Sequence, residues 1–164
     1  MELDYSNVTK QPHLSDATIK NVSQRKVLTI QGKGDPMKTF DDKLAKVYEY
    51  IEKNDVEIPN KPSFGIYYKN RDKASVGNVI WDACVEVSGT IQNANDYCTY
   101  KEIPEQLVIS TILTGGYNLI GDAVHYLENI AKSNNLEIKW ELTEVYIKEG
   151  ENPVTELWFP IAES

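Results

Sequence analysis

Val154-Thr155-Glu156-Leu157-Trp158-Phe159-Pro160-Ile161, near the end of the chain, is the stretch on which the fold turns. Read with period two, Thr155, Leu157, Phe159 and Ile161 point one way, and Val154, Glu156, Trp158 and Pro160 the other. The first set suits a core. The second places an acid two residues from a large aromatic, a pairing that can hold an organic cation or position a carboxylate for proton transfer. Alone, the stretch would also pass for an edge strand with a solvated glutamate and a scattered tryptophan. What argues for more is that the chain contains it twice.

Trp81-Asp82-Ala83-Cys84-Val85-Glu86-Val87 matches the stretch from Thr155 to Ile161 at an offset of 74, and the segments before it match too. Adding 81 carries Thr18-Ile19-Lys20-Asn21-Val22 onto Thr99-Tyr100-Lys101-Glu102-Ile103, Val27–Ile30 onto Val108–Thr111, and Gly34 onto Gly115. These are β-branched and aliphatic runs that end in a glycine turn. Met37, Phe40, Leu44, Val47 and Ile51 then form one stripe of an amphipathic helix, with Asp35 as its cap and Pro36 in its first turn. An offset of 80 places Ile120, Val124, Leu127 and Ala131 on the same stripe, and Asn54–Ile58 on Asn134–Ile138. Phe64–Tyr68 corresponds to Thr143–Ile147. The offset falls to 74 because the first half has a longer polar loop, Lys69 to Asn78.

The fold class expected is therefore α+β: tandem, pseudo-two-fold β-α-β-β units, with an antiparallel sheet, two main helices on one face and a ligand pocket between the halves. The half-repeats run over about 18–90 and 99–161, within a single domain spanning 18–164. Residues 1–17 are expected to form a loosely held polar arm. The face turned from the helices should carry Asp82, Glu156, Tyr67, Tyr146 and Trp158; Trp81, Ala83, Val85 and Val87 should face the helices.

Composition excludes several classes. The 164 residues carry a formal charge of −8 and present no basic stripe, which argues against binding nucleic acid by phosphate neutralisation. No apolar run approaches the roughly 18 residues of a membrane span, and the N-terminus has no secretion signal, so a cytoplasmic location is expected. Cys84 and Cys98 lack metal or redox spacing and are read as free thiols; with His13 and His125 as the only histidines, no metal is expected. His125 reads as a partly buried helix residue. Gly32, Gly34, Gly115 and Gly116 read as turn residues supplying positive φ, because Gln31-Gly32-Lys33-Gly34 lacks the Gly-Lys-Ser/Thr ending of a phosphate loop.

Three pieces together resemble the GyrI-like small-molecule-binding domain family, which includes effector-binding domains of multidrug-sensing transcription regulators. They are Val79–Val87 with its Asp-Ala-Cys core, Glu102-Ile103-Pro104-Glu105 followed by Gly115-Gly116-Tyr117, and Glu144-Val145-Tyr146-Ile147 with Thr155–Ile161. The resemblance covers about Thr18 to Ile161. It implies two β-α-β-β units and a stand-alone binding domain for amphipathic, cationic small molecules. Glu156 would be the acid and Tyr67 and Tyr146 the walls, joined by Trp158, Asp82 and Tyr117. No helix-turn-helix precedes Thr18, so direct DNA binding is not expected. Relatives imply two alternatives: a hydrolase of reactive electrophiles with Glu156 as acid or base, or a modulator of DNA gyrase or another regulatory protein. No cofactor is implied. An acidic surface also suits a basic protein partner.

Overall fold

A computed structural model describes residues 2–68, 78–92 and 97–162; the first-half loop over 69–77 lies outside the described residues. The elements in chain order are β1 (Thr18–Val22), β2 (Arg25–Lys33), α1 (Pro36–Lys53), β3 (Phe64–Tyr67), β4 (Ile80–Glu86), β5 (Thr99–Ile103), β6 (Gln106–Thr114), a 3-10 turn (Tyr117–Leu119), α2 (Ile120–Ser133), β7 (Leu142–Lys148) and β8 (Val154–Pro160). The chain is α+β with antiparallel strand pairing, as the repeat requires.

The chain forms two compact units that differ from the sequence repeats by one strand each. One unit is Ser23–Glu105; the other combines Met1–Val22 with Gln106–Ser164. The strand order is β3-β4-β2-β5 in the first and β1-β6-β8-β7 in the second. Only Ser23 and Gln24 separate β1 from β2, yet the two strands do not make a hairpin. Instead β1 pairs with β6, and its repeat equivalent β5 pairs with β2. Each half thus has two strands ahead of its helix, where the sequence suggested a single one.

In the Ser23–Glu105 unit, α1 packs on β2 and β4. Asp35 caps it, its carboxylate accepting from the Met37 amide at 3.0 Å, and Pro36 opens the first turn. Phe40, Val47 and Ile51 are buried, each contributing about 1.5–3 kcal/mol of apolar transfer. Met37, expected on the same stripe, is 69% exposed. Leu28, Ile30, Val85 and Val87 complete this core with Tyr50 and Cys98. Gly32 admits the Trp81 indole: a Cβ there would meet the ring at 2.2 Å.

In the other unit, α2 packs on β6 and β8 and buries Ile120, Val124, Leu127 and Ala131, the expected stripe. His125 lies on the exposed side of the helix instead of partly buried. Of the four glycines assigned to positive φ, Gly34 and Gly115 adopt it. Gly32 serves the indole, and Gly116 has φ of −68° as the cap of the 3-10 turn.

The N-terminal segment is fastened, not loose. Ser15 donates its amide to Ile112 and the Thr114 amide donates to His13, both at 2.9 Å, so the chain prolongs the edge beside β6. The Tyr5 hydroxyl donates to the Ala17 carbonyl, and the buried Ala17 amide donates to the Tyr126 hydroxyl at 3.1 Å. Asp4 and Asn134 exchange two hydrogen bonds of 2.7 and 2.9 Å. A polar composition hid this because the anchors are backbone groups and tyrosine hydroxyls.

Candidate functional site

The acid of the opening stretch is already occupied. Glu156 stands opposite Ile112 on β6 and Val145 on β7. Its Oε2 accepts from the Ser110 hydroxyl at 2.6 Å and from the Lys20 ammonium, which also lies 5.5 Å over the Trp158 ring. Acid and aromatic share a cation here. That cation belongs to the chain.

The repeat makes the same pair again. Lys101 is the equivalent of Lys20, and Asp82 of Glu156. In the Ser23–Glu105 unit, the Asp82 carboxylate is 1% exposed and accepts from Lys101 Nζ at 2.7 Å, the Tyr68 hydroxyl at 2.5 Å and Gln31 Nε2 at 3.5 Å. A carboxylate this deep is tolerable because charge-assisted donors surround it. Lys101 itself is 41% exposed at its side chain, with its ammonium on the acid.

The tyrosines lie on the other face from these acids, which corrects the sequence assignment. Tyr67 pairs with Trp81, not Asp82, and is 2% exposed, stacked on Phe40 with ring centroids 6.4 Å apart. Its neighbour Tyr68 is the one that reaches Asp82. In the other unit, Tyr146 pairs with Thr155, on the side of Leu157 and opposite Glu156. A shift of one residue exchanges the faces of a strand, so alternation alone placed the tyrosines with the wrong partner.

Beside Tyr146 stands an acid the sequence assigned no role. Glu144, 1% exposed, shares the face of Tyr146 and pairs across to Leu157. The Tyr146 hydroxyl donates to Glu144 Oε1 at 3.2 Å. Tyr117, delivered by the turn after Gly115 and Gly116, meets Tyr146 edge-on, at 6.1 Å and 83°. Thr155, fully buried, completes the face, and its Oγ1 has no hydrogen-bond partner among the described residues. Tyr146 and Tyr117 are in contact, and the acid on their face is Glu144, with Glu156 on the opposite face. The signal available was the alternation of β7: Glu144 and Tyr146 are two apart and must share a face.

Burial pushes the Cys84 thiol up to about 12 and the Cys98 thiol to about 11, so neither is a thiolate at neutral pH. No group of three or more His, Cys, Asp or Glu could hold a metal ion among the described residues. Among the described residues, no helix is long and apolar enough to cross a membrane.

Comparison with known proteins agrees with this architecture. The EcmrR C-terminal domain superposes with a TM-score of 0.78 at 15% identity, covering 91% of this chain and 98% of that one. EcmrR in a complex with DNA gives 0.80 at 16% identity over 93% of this chain, which spans 59% of the length of that protein. SAV2435 bound to tetraphenylphosphonium gives 0.61 at 11% identity, with 90% and 94% of the two chains covered. A hydrolase from Listeria innocua gives 0.67 at 11% identity, with 89% and 91% covered. At such identities the likeness is one of fold. No curated protein matches by sequence. The model of the GyrI-like small molecule binding domain matches residues 15–162, and the chain belongs to that family.

Proposed function

We propose that this small-molecule-binding domain takes up amphipathic organic cations, with Glu144 as the anion and Tyr146 and Tyr117 as aromatic walls. The observation that carries this reading is a carboxylate at 1% exposure whose phenol partner is itself braced by a second aromatic ring. A carboxylate withdrawn from water gains from a positive neighbour, and each well-placed aromatic face adds about 0.5–2 kcal/mol for a desolvated cation. A structural neighbour holding tetraphenylphosphonium makes that ion a reasonable probe.

The test is a calorimetric titration with tetraphenylphosphonium and with neutral triphenylphosphine oxide. The cation should bind saturably, below about millimolar Kd, and at least about tenfold more tightly than the neutral compound. Equal affinity for the two, or no saturable binding of the cation, would overturn the proposal.

A further inference from the structure

The two units treat one layer of their cores differently. In the Ser23–Glu105 unit the layer is closed by aromatic side chains. Trp81 lies over Gly32, tilts against Phe40 at 5.3 Å and donates its indole N–H to the Gly34 carbonyl at 3.2 Å, while Tyr67 stacks on the same phenylalanine. Gly65 adds no side chain. The indole N–H of that closure is used by the fold.

The repeat places Thr155 where Trp81 stands, Glu144 where Gly65 stands, Tyr146 where Tyr67 stands and Ile120 where Phe40 stands. The indole has become a threonine, and a glycine has become an acid. Thr155 pairs with Tyr146 across β7 and β8, and lies diagonal to Glu144 on the same face. The residue is fully buried and its Oγ1 has no partner among the described residues, although a buried hydroxyl ordinarily finds one. Valine would fill the same space without that cost. A hydroxyl retained under these conditions beside a buried acid marks where a polar atom of a ligand belongs.

Resting on the function proposed above, we infer that Thr155 Oγ1 accepts a hydrogen bond from the ligand's cationic centre, so that the preferred ligands are protonated amines or amidines that carry an N–H. Glu144 supplies the charge, which any organic cation can use. Thr155 supplies a directional acceptor, which a quaternary ammonium or phosphonium ion cannot use. The pair therefore separates charge recognition from N–H recognition within one site.

The test compares N,N-dimethyl-1-naphthylmethylamine, protonated at pH 7, with its trimethylammonium counterpart by titration of wild type, Thr155→Val and Thr155→Ser. Wild type should prefer the protonated amine about fivefold or more. Thr155→Val should abolish that preference, and Thr155→Ser should keep it. Equal affinity of wild type for the two ions, or an undiminished preference in Thr155→Val, would overturn the inference while cation binding stands. Failure of wild type to bind either ion, or tetraphenylphosphonium, would overturn the proposed function itself.

Discussion

Gly65 and Glu144 occupy equivalent positions of the internal repeat, each paired across to the matching residue of the closing strand, Ala83 for one and Leu157 for the other. Only one of them can carry a side chain. A Cβ at Gly65 would meet Phe40 Cε2 and Tyr67 Cε2 at 2.9 Å, so the first copy is committed to packing and the second is free to carry an acid. Duplication supplied two equal positions, and aromatic filling of one left a single acidic site of this kind among the described residues.

The lysine–acid pairs should contribute unequally, although the repeat makes them equivalents. Asp82 is 1% exposed, whereas the Glu156 side chain is 15% exposed. Lys101→Met strands a buried charge and should cost about 3–5 kcal/mol in urea unfolding. Lys20→Met should cost about 1 kcal/mol or less, since water can reach Glu156. Equal losses would show that burial does not govern these pairs.

Gly32→Ala should destabilise the Ser23–Glu105 unit by driving a methyl group into the Trp81 ring, which approaches to 2.2 Å. Overpacking of this kind costs about 1–3 kcal/mol. The indole must tilt, so a weakened Trp81 hydrogen bond to Gly34 should accompany the loss. Near-ultraviolet circular dichroism with a urea melt reads both, and an unchanged midpoint would mean that the strand moves aside freely.

The thiols give a pH dependence of defined sign. Burial raises Cys84 from 9.0 to about 12 and Cys98 from 9.0 to about 11. In both cases the folded chain keeps its proton where the unfolded chain has lost it. The contribution is therefore fully present below pH 9.0 and is lost as pH rises towards 11 and 12. Cys84→Ala with Cys98→Ala should flatten the fall in stability over that range, and in the wild type neither thiol should react with a disulfide reagent at pH 8 until urea unfolds the chain.

Much of this was legible in the sequence, and the failures share a cause. The helix stripe from Phe40 to Ile51, its Asp35 cap and the match between Lys20 and Lys101 are local patterns or simple offsets, and all appear in the fold. The pairing of β1 with β6 is not local, because nothing in Thr18–Val22 names its partner. The tyrosines went astray for a related reason. Alternation shows that Glu144 and Tyr146 share a face and that Tyr67 and Tyr68 do not, but only the register against β8 and β4 tells which face meets which acid. Glu156 drew attention through Trp158, yet the partner that answers it is an edge-strand lysine 136 positions away in sequence.

Side-by-side titration of tetraphenylphosphonium into wild type, Glu144→Gln and Glu156→Gln tests the central claim most directly. Glu144→Gln keeps the shape and removes the charge, and should weaken binding at least about tenfold, the loss expected of one ionic contact away from water. Glu156→Gln, whose charge Lys20 already neutralises, should stay within about twofold of wild type. Undiminished binding by Glu144→Gln, or a larger loss in Glu156→Gln, would contradict it.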